Sequence, residues 1–567
     1  MPYSTANHPR EAYKLLQGFI LPTEDGPKWA ISVTVAWSNA VVSIYSIMLE
    51  AVFVYFWILC LSILILFTQK PGTGEHTKLR IHVFNKGVVT EYLDAIVKLW
   101  PWPFKYTLRP KHSSLTQKPQ FTTKEAKGTP KKQSLLWVSI ILCAWLIPKA
   151  APIFLILPLQ IGQSAPVSAD YVYIPHRDDI SHDNNWAEKD VNIHKAPALR
   201  ALSVVQVADE KLLQAVQVDG PRVLFVNSEK QEIQAVDYGF NLSTLDFGLS
   251  KFDGLVLELR GSCYTEYGWY NSSASGTSEV YDLFGDKSVQ QEVRNTGWAP
   301  VASFAPGPDT DSSKGRNRTF AIFVSSFDRW SISKSTDPLY RTEEVRSNET
   351  NPQSETHRVI RKRPALHCWT QSSWRYKGHD LVGTWGLPDT KGLGITNTWR
   401  DALWSLLEIN LSNVGTYLGS IALASSDQTG LYAFDAGACS LRDDLRRLVL
   451  TTRVYMANSL IDTTLYNRSL TLGIGDTKGY TNLLTADNQK EVANFVLNAG
   501  EGISTLDITF LIVVPCVQFV MFIITYGLRY YAKKKACSWN NTETVGSSMG
   551  NNGHRGGGVV SDGEKAE

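Results

Sequence analysis

Ser46–Phe67 reads SIMLEAVFVYFWILCLSILILF, twenty-two residues in which Glu50 is the single charge. As a helix this run is about 33 Å long, enough to cross the hydrocarbon core of a bilayer. The stretch before it, from about Trp29, is apolar but punctuated by Ser, Thr and Asn, and no Gly or Pro divides the two parts. One long helix projecting beyond the bilayer is the preferred reading, with two spans as the alternative. Two further apolar runs follow. Leu135–Leu159 contains Pro148, Pro152 and Pro158, which should kink it, and Lys149 as its only charge. Ile508–Leu528 is followed directly by RYYAKKK.

Charge orients these spans. Residues 68–133 hold 13 Lys+Arg against 4 Asp+Glu, and Arg529, Lys533, Lys534 and Lys535 follow the third run. Positive flanks stay cytosolic. The expected order is therefore an exterior segment 1–45, a span 46–67, a basic cytosolic loop 68–134 and a span 135–159. An exterior domain 160–507, a span 508–528 and a disordered cytosolic tail 529–567 complete it. Thirty mixed polar residues precede the first span, so no signal peptide is expected. Asn-x-Ser/Thr occurs at Asn241, Asn271, Asn317, Asn348, Asn410 and Asn467, all in the segment that charge places outside. A seventh sequon, Asn540, lies in the tail and should stay bare.

The whole chain of 567 residues carries a net charge of +2, which gives no electrostatic case for nucleic acid. Its expected contacts are the lipid bilayer, anionic lipid head groups and an exterior ligand or protein. The head-group contact falls to Glu91–Pro110, where Trp100, Trp102 and Phe104 interleave with Lys98, Lys105 and Arg109; a small packed helix is the competing reading. Of seven cysteines only Cys263, Cys368 and Cys439 fall in the large polar segment. Three cysteines form no disulfide framework, so an apolar core must hold the domain. Cys263–Cys368 is the preferred of three pairings, because each sits in an aromatic, strand-like context.

Within the exterior segment, Arg222–Val226, Gly254–Tyr264, Thr319–Phe327 and Leu366–Tyr376 read as strands. Thr398–Leu411, Leu441–Leu460 and Gln489–Asn498 read as helices, the second on the spacing of Leu441, Leu445, Leu448, Tyr455, Met456 and Leu460. Residues 304–316 and 334–363 read as long loops, and about Arg10 to Ile20 as a short amphipathic helix. The fold class is transmembrane α-helices plus a large α+β extracytoplasmic domain.

No catalytic constellation stands out. Gly546-Ser-Ser-Met-Gly550 has the serine-hydrolase spacing but lies in the tail, away from any strand-turn-helix. Asp309-Thr-Asp311 opens like a calcium loop and then lacks its glycine and closing glutamate. His176, His182 and His194 lie among Asp178, Asp179, Asp183 and Asp190 without standard metal spacing, and a solvated polar stretch is the better reading. Trp269, Trp369, Trp374, Trp385, Trp399 and Trp404 are expected to be core more often than sugar platforms. Lys362-Arg363 resembles a processing site, against which Pro364 argues. No cofactor is expected.

Leu366-His-Cys368-Trp369, continuing to Trp374 and Tyr376, the Cys-aromatic stretch Gly261–Trp269 and the two-span start resemble a group of multi-pass membrane proteins of filamentous fungi. The resemblance covers most of the chain and implies membrane placement without an activity. The expected function is partner or ligand binding by the exterior domain without catalysis. The alternatives are a membrane-bound enzyme acting on glycans or lipids, and an accessory subunit of a transporter.

Overall fold

The computed structural model describes residues 10–67, 150, 154–175, 194–271, 278–294, 301–345, 357–378, 382–407, 410–428, 434–465 and 482–548, apart from 24, 209, 287, 313, 314 and 501. The described chain forms two units, residues 1–36 with 161–507, and residues 37–160 with 508–567.

The first unit begins with a hairpin, β1 (Gly18–Thr23) and β2 (Gly26–Thr34), whose turn lies between Thr23 and its partner Gly26, which takes φ 112°. This corrects the helix expected over Arg10–Ile20: Arg10–Ala12 is a single 3-10 turn and the rest leads into β1. Chain order then runs through helix α1 (Val35–Phe67) and on to β3 (Gln160–Gly162), β4 (Ser164–Pro166), α2 (Ala196–Gln206) and α3 (Glu210–Gln214). Strands β5 (Val216–Val226), β6 (Glu232–Ser243), β7 (Leu255–Glu266), β8 (Tyr270–Asn271), β9 (Ser278–Asp282) and β10 (Gln290–Arg294) follow. Next come β11 (Val301–Ser312), β12 (Gly315–Ser325), β13 (Trp330–Ser331), β14 (Thr342–Glu344), β15 (His357–Val359) and β16 (Ala365–Tyr376). Helices α4 (Asn397–Leu407), α5 (Leu411–Leu418), α6 (Leu441–Asp462) and α7 (Ala486–Ala493) precede β17 (Leu497–Ala499), β18 (Ile503–Asp507) and the last helix, α8 (Ile508–Ser548).

The centre is a six-stranded antiparallel sheet in the order β11-β12-β16-β7-β6-β5. Alternation sets its two faces. Phe240, Leu259, Phe320 and Leu366 point to one face, where α2, α4, α5 and α6 close a core around Trp374, Trp399 and Leu448. Helix α6 is buried along almost all of its length, which explains its apolar spacing on more than one side. Gly261 is fixed by packing, since a Cβ there would meet the Tyr238 ring at 2.4 Å. That closeness lets the Tyr238 hydroxyl donate to the Trp369 carbonyl at 3.0 Å. On the opposite face, the small sheet β10-β9-β8 covers one end, with Trp269, Tyr281 and Val293 packed on Ala321, Phe323 and Ala365.

The segment 304–316, expected to be a loop, is mostly strand. Pro306 and Pro308 are tolerated because β11 is an edge strand with its register shifted between Pro306 and Asp309. Helix Gln489–Asn498 is also corrected: α7 ends at Ala493, and Leu497–Ala499 pairs with β4. A second sheet, β1-β2-β18-β3, pairs the N-terminal hairpin with the last strand, Leu506 opposite Ile31.

In the second unit α1 is continuous, as the absence of Gly and Pro requires, and α8 contains Pro515. Val35–Phe56 and Ile508–Leu528 are long and apolar enough to cross a membrane. Tyr45 donates to the Leu511 carbonyl at 2.7 Å, and the Tyr55 and Phe522 rings meet edge-on at 6.1 Å. Helix α8 continues past Leu528 to Ser548, a stretch without Pro. Most of the Leu135–Leu159 run, with the Glu91–Pro110 segment, lies outside the described residues.

Candidate functional site: the open face and free edge of the central sheet

Beyond the small sheet, the second face of the central sheet has no covering layer among the described residues. Trp369 sits there at 42% exposure, opposite Thr319 of β12 and Ser262 of β7. Gln371, Arg260, Glu258 and Arg375 continue the surface. Buried Glu258 accepts from Arg375 at 2.9 Å and also pairs with Arg260, so the two guanidinium groups roof one carboxylate. Asn317 and Asn241 are exposed on this same face, Asn317 opposite Gln371 and Asn241 opposite Glu258.

The other sequons are placed differently. Asn271 is half-buried, with its amide donating to Asp282 at 3.2 Å. Asn410 caps α5, its side-chain oxygen accepting from the Asn413 amide at 3.0 Å. Asn348 and Asn467 lie outside the described residues. Cys263 and Cys368 are bonded directly across β7 and β16, S–S 2.04 Å, while Cys439 is free and buried. Trp269, Trp374 and Trp399 are core; Trp385 is 52% exposed, lies against the half-buried Trp404 at 5.0 Å, and carries Arg400 on its face.

The β5 edge of the sheet, unpaired among the described residues, has a different character. Val223, Leu224, Phe225 and Val226 of β5 are 54, 43, 59 and 57% exposed, so both faces of four successive residues are apolar and bare. The N-terminal half of the same strand is sealed by Val216 and Val218 in the core. The chain leaves that core after a kink at Gly220-Pro221, where the register with β6 slips.

Ionisable groups elsewhere are enclosed by their own partners. Tyr340 donates to Asp444 and lies 2.6 Å from the Ser425 hydroxyl, and the Ser425 amide donates to Asp444 at 2.8 Å. Burial pushes the Asp444 carboxyl up to about 7. Asp337 accepts from the Leu441 amide at 2.8 Å, and burial raises it too. This network ties two segments, the Asp337–Tyr340 turn and the one holding Ser425, to the start of α6 and offers no reacting group to solvent. Arg363 and Glu279 form an ion pair at 3.0 Å with 2% and 0% side-chain exposure, so the Arg363 side chain of the dibasic pair is enclosed in the fold. His194 corrects the solvated stretch expected for it: it is half-buried, 3.0 Å from the Tyr455 hydroxyl and stacked on Tyr417, and desolvation pulls it down to about 4. His176 and His182 lie outside the described residues, and among those described no group of three His, Cys, Asp or Glu is arranged for a metal.

The open face depends on strand register, which residue spacing did not reveal; the exposed edge was partly legible in Arg222–Val226. These features define an α+β domain on an antiparallel sheet within a chain carrying two long apolar helices. A family model described as a domain of unknown function (DUF8406) matches residues 195–497, and the chain belongs to that family. No curated protein and no solved structure matches it.

Proposed function

We propose that the chain is a multi-pass membrane glycoprotein. Its sheet domain lies on the exterior side and binds an extended segment of a partner protein, without catalysis, by adding it to β5. The observation that carries the binding is the run Val223–Val226 on a free edge. Edge strands are normally blunted with charge or cover, and an exposed apolar edge is a template for strand addition. Backbone bonds would supply affinity, and the alternating side chains specificity.

Pairing within the first unit supports the multi-pass placement. The N-terminal hairpin pairs with β18, so residues 10–34 share a side with 161–507. Helix α1 between them then needs a second crossing to bring the chain back, and Leu135–Leu159 is the apolar run available for it. The exposed sequons Asn241 and Asn317 and the Cys263–Cys368 bridge suit an oxidising exterior. The enzyme reading has less support because Asp337 and Asp444 are spent on hydrogen bonds inside the fold.

A photo-crosslinking residue in place of Leu224, in the full chain in native membranes, tests the reading. One discrete adduct that Phe225→Lys abolishes, with none from the same probe at Asp286, is the expected result. A ladder at both positions, or nothing at either, would sink the strand-addition site.

A further inference from the structure

We infer that Trp369 is the platform on which an N-linked glycan of Asn317 lies. The inference rests on the exterior placement proposed above. Asn317, Arg318 and Thr319 form the sequon, and Trp369 is paired across the sheet with Thr319 itself. Positions 317 and 319 share a face, so Asn317 and Trp369 are diagonal neighbours, their Cβ atoms about 7 Å apart. Both side chains are exposed on the part of the sheet that no other element covers among the described residues. No aromatic or cationic group stacks on Trp369 among the described contacts, in contrast to Trp385 under Arg400 and Trp404 under Arg316.

A pyranose presents a face of C–H groups with slight positive character, which suits the negative face of an indole. A sugar joined to the Asn317 amide nitrogen is a few ångströms from that ring. Gln371, directly opposite Asn317, adds an amide able to donate to and accept from the sugar's acetamido group. Attachment uses a lipid-linked oligosaccharide diphosphate: a C–N bond forms to the amide nitrogen, the sugar–phosphate C–O bond breaks, and the amide proton leaves. The remaining amide N–H is not required elsewhere at Asn317, whereas Asn271 spends its amide on Asp282. Asn241, opposite Glu258 and beyond β7, has no ring across from it and serves as the internal control.

The consequence is a division of labour on one sheet. The open face is sheathed by sugar, and the bare apolar edge at β5 is left as the protein-facing surface. The experiment uses the full chain from a secretory host, with site occupancy read by mass spectrometry. Asn317→Gln, Trp369→Ala, Trp369→Phe, Asn241→Gln and the double variant N317Q/W369A are melted and quenched with acrylamide. With Asn317 occupied, N317Q should lower Tm by roughly 2 °C in the parent. The same change should have no effect in the Trp369→Ala background and an intermediate one with Phe. Acrylamide should reach one additional tryptophan in N317Q, while N241Q changes neither readout. Equal, additive losses from N317Q in both backgrounds would overturn the platform. Asn317 bare while Asn241 and Asn410 are occupied would overturn this inference alone, and all sequons bare would overturn the exterior placement beneath it.

Discussion

Asp444, which is buried, and His194, which is half-buried, have linkages to folding of opposite sign. Burial raises the Asp444 carboxyl to about 7, so its contribution to stability is complete below about 4 and declines as pH climbs through 7. Burial lowers His194 to about 4, so its contribution is complete above about 6.5 and is lost as pH falls toward 4. Between those limits the two trends oppose each other. Asp444→Asn, which cannot ionise, should gain in Tm relative to the parent as pH rises from about 4 to 7.5. His194→Gln should gain relative to the parent as pH falls over the same range. Thermal melts of the three chains at fixed ionic strength measure this; flat differences would mean that neither charge is confined as described. Glu279 and Arg363 make a sharper case. Glu279→Ala leaves a guanidinium buried without its carboxylate and should cost about 3–5 kcal/mol in denaturant unfolding. Replacing both by apolar residues of similar volume should cost much less.

The bridge joins elements that the backbone already zips together. Cys263 and Cys368 are direct partners in β7 and β16 but are 105 residues apart in sequence, so the bond closes a long loop in the unfolded chain. Cys263→Ser with Cys368→Ser should therefore lose about 2–4 kcal/mol, seen as a lowered denaturation midpoint, while buried Cys439 stays unlabelled by thiol reagent until the domain unfolds. Other elements were read unevenly from sequence. Helix α6 was found almost to its ends because long apolar periodicity leaves little choice. Strand β6 was missed although Tyr238, Phe240 and Leu242 alternate, and the hairpin β1–β2 was missed although Asp25-Gly26 is a turn signal. Strand β11 was hidden by Pro306, Gly307 and Pro308, residues that read as loop unless an edge position excuses them. The sequons were visible as motifs, but that Asn317 and Trp369 share a face follows only from the pairing of β12 with β16, a contact between segments far apart in sequence.

For the molecule as a whole, the decisive constraint is parity. Residues 10–34 and 503–507 belong to one sheet, so any crossings of a bilayer between them must be even in number. In the topology proposed above, α1 is one crossing and the apolar run Leu135–Leu159 is the second. On that proposal α8 would carry Arg529 and Lys533–Lys535 to the same side as the basic segment 68–134, as positive flanks prefer. Epitopes placed at the N-terminus and near residue 350 should thus be reached by antibody on intact cells. Epitopes near residue 120 and at the C-terminus should be reached only after permeabilisation. Deleting 135–159 breaks the parity: the hairpin and the domain are then driven to opposite sides, the β2–β18 pairing cannot form, and the chain should be retained and degraded. Surface staining at residue 120 in the parent chain would instead show that α1 does not cross, and the multi-pass reading would fail with it.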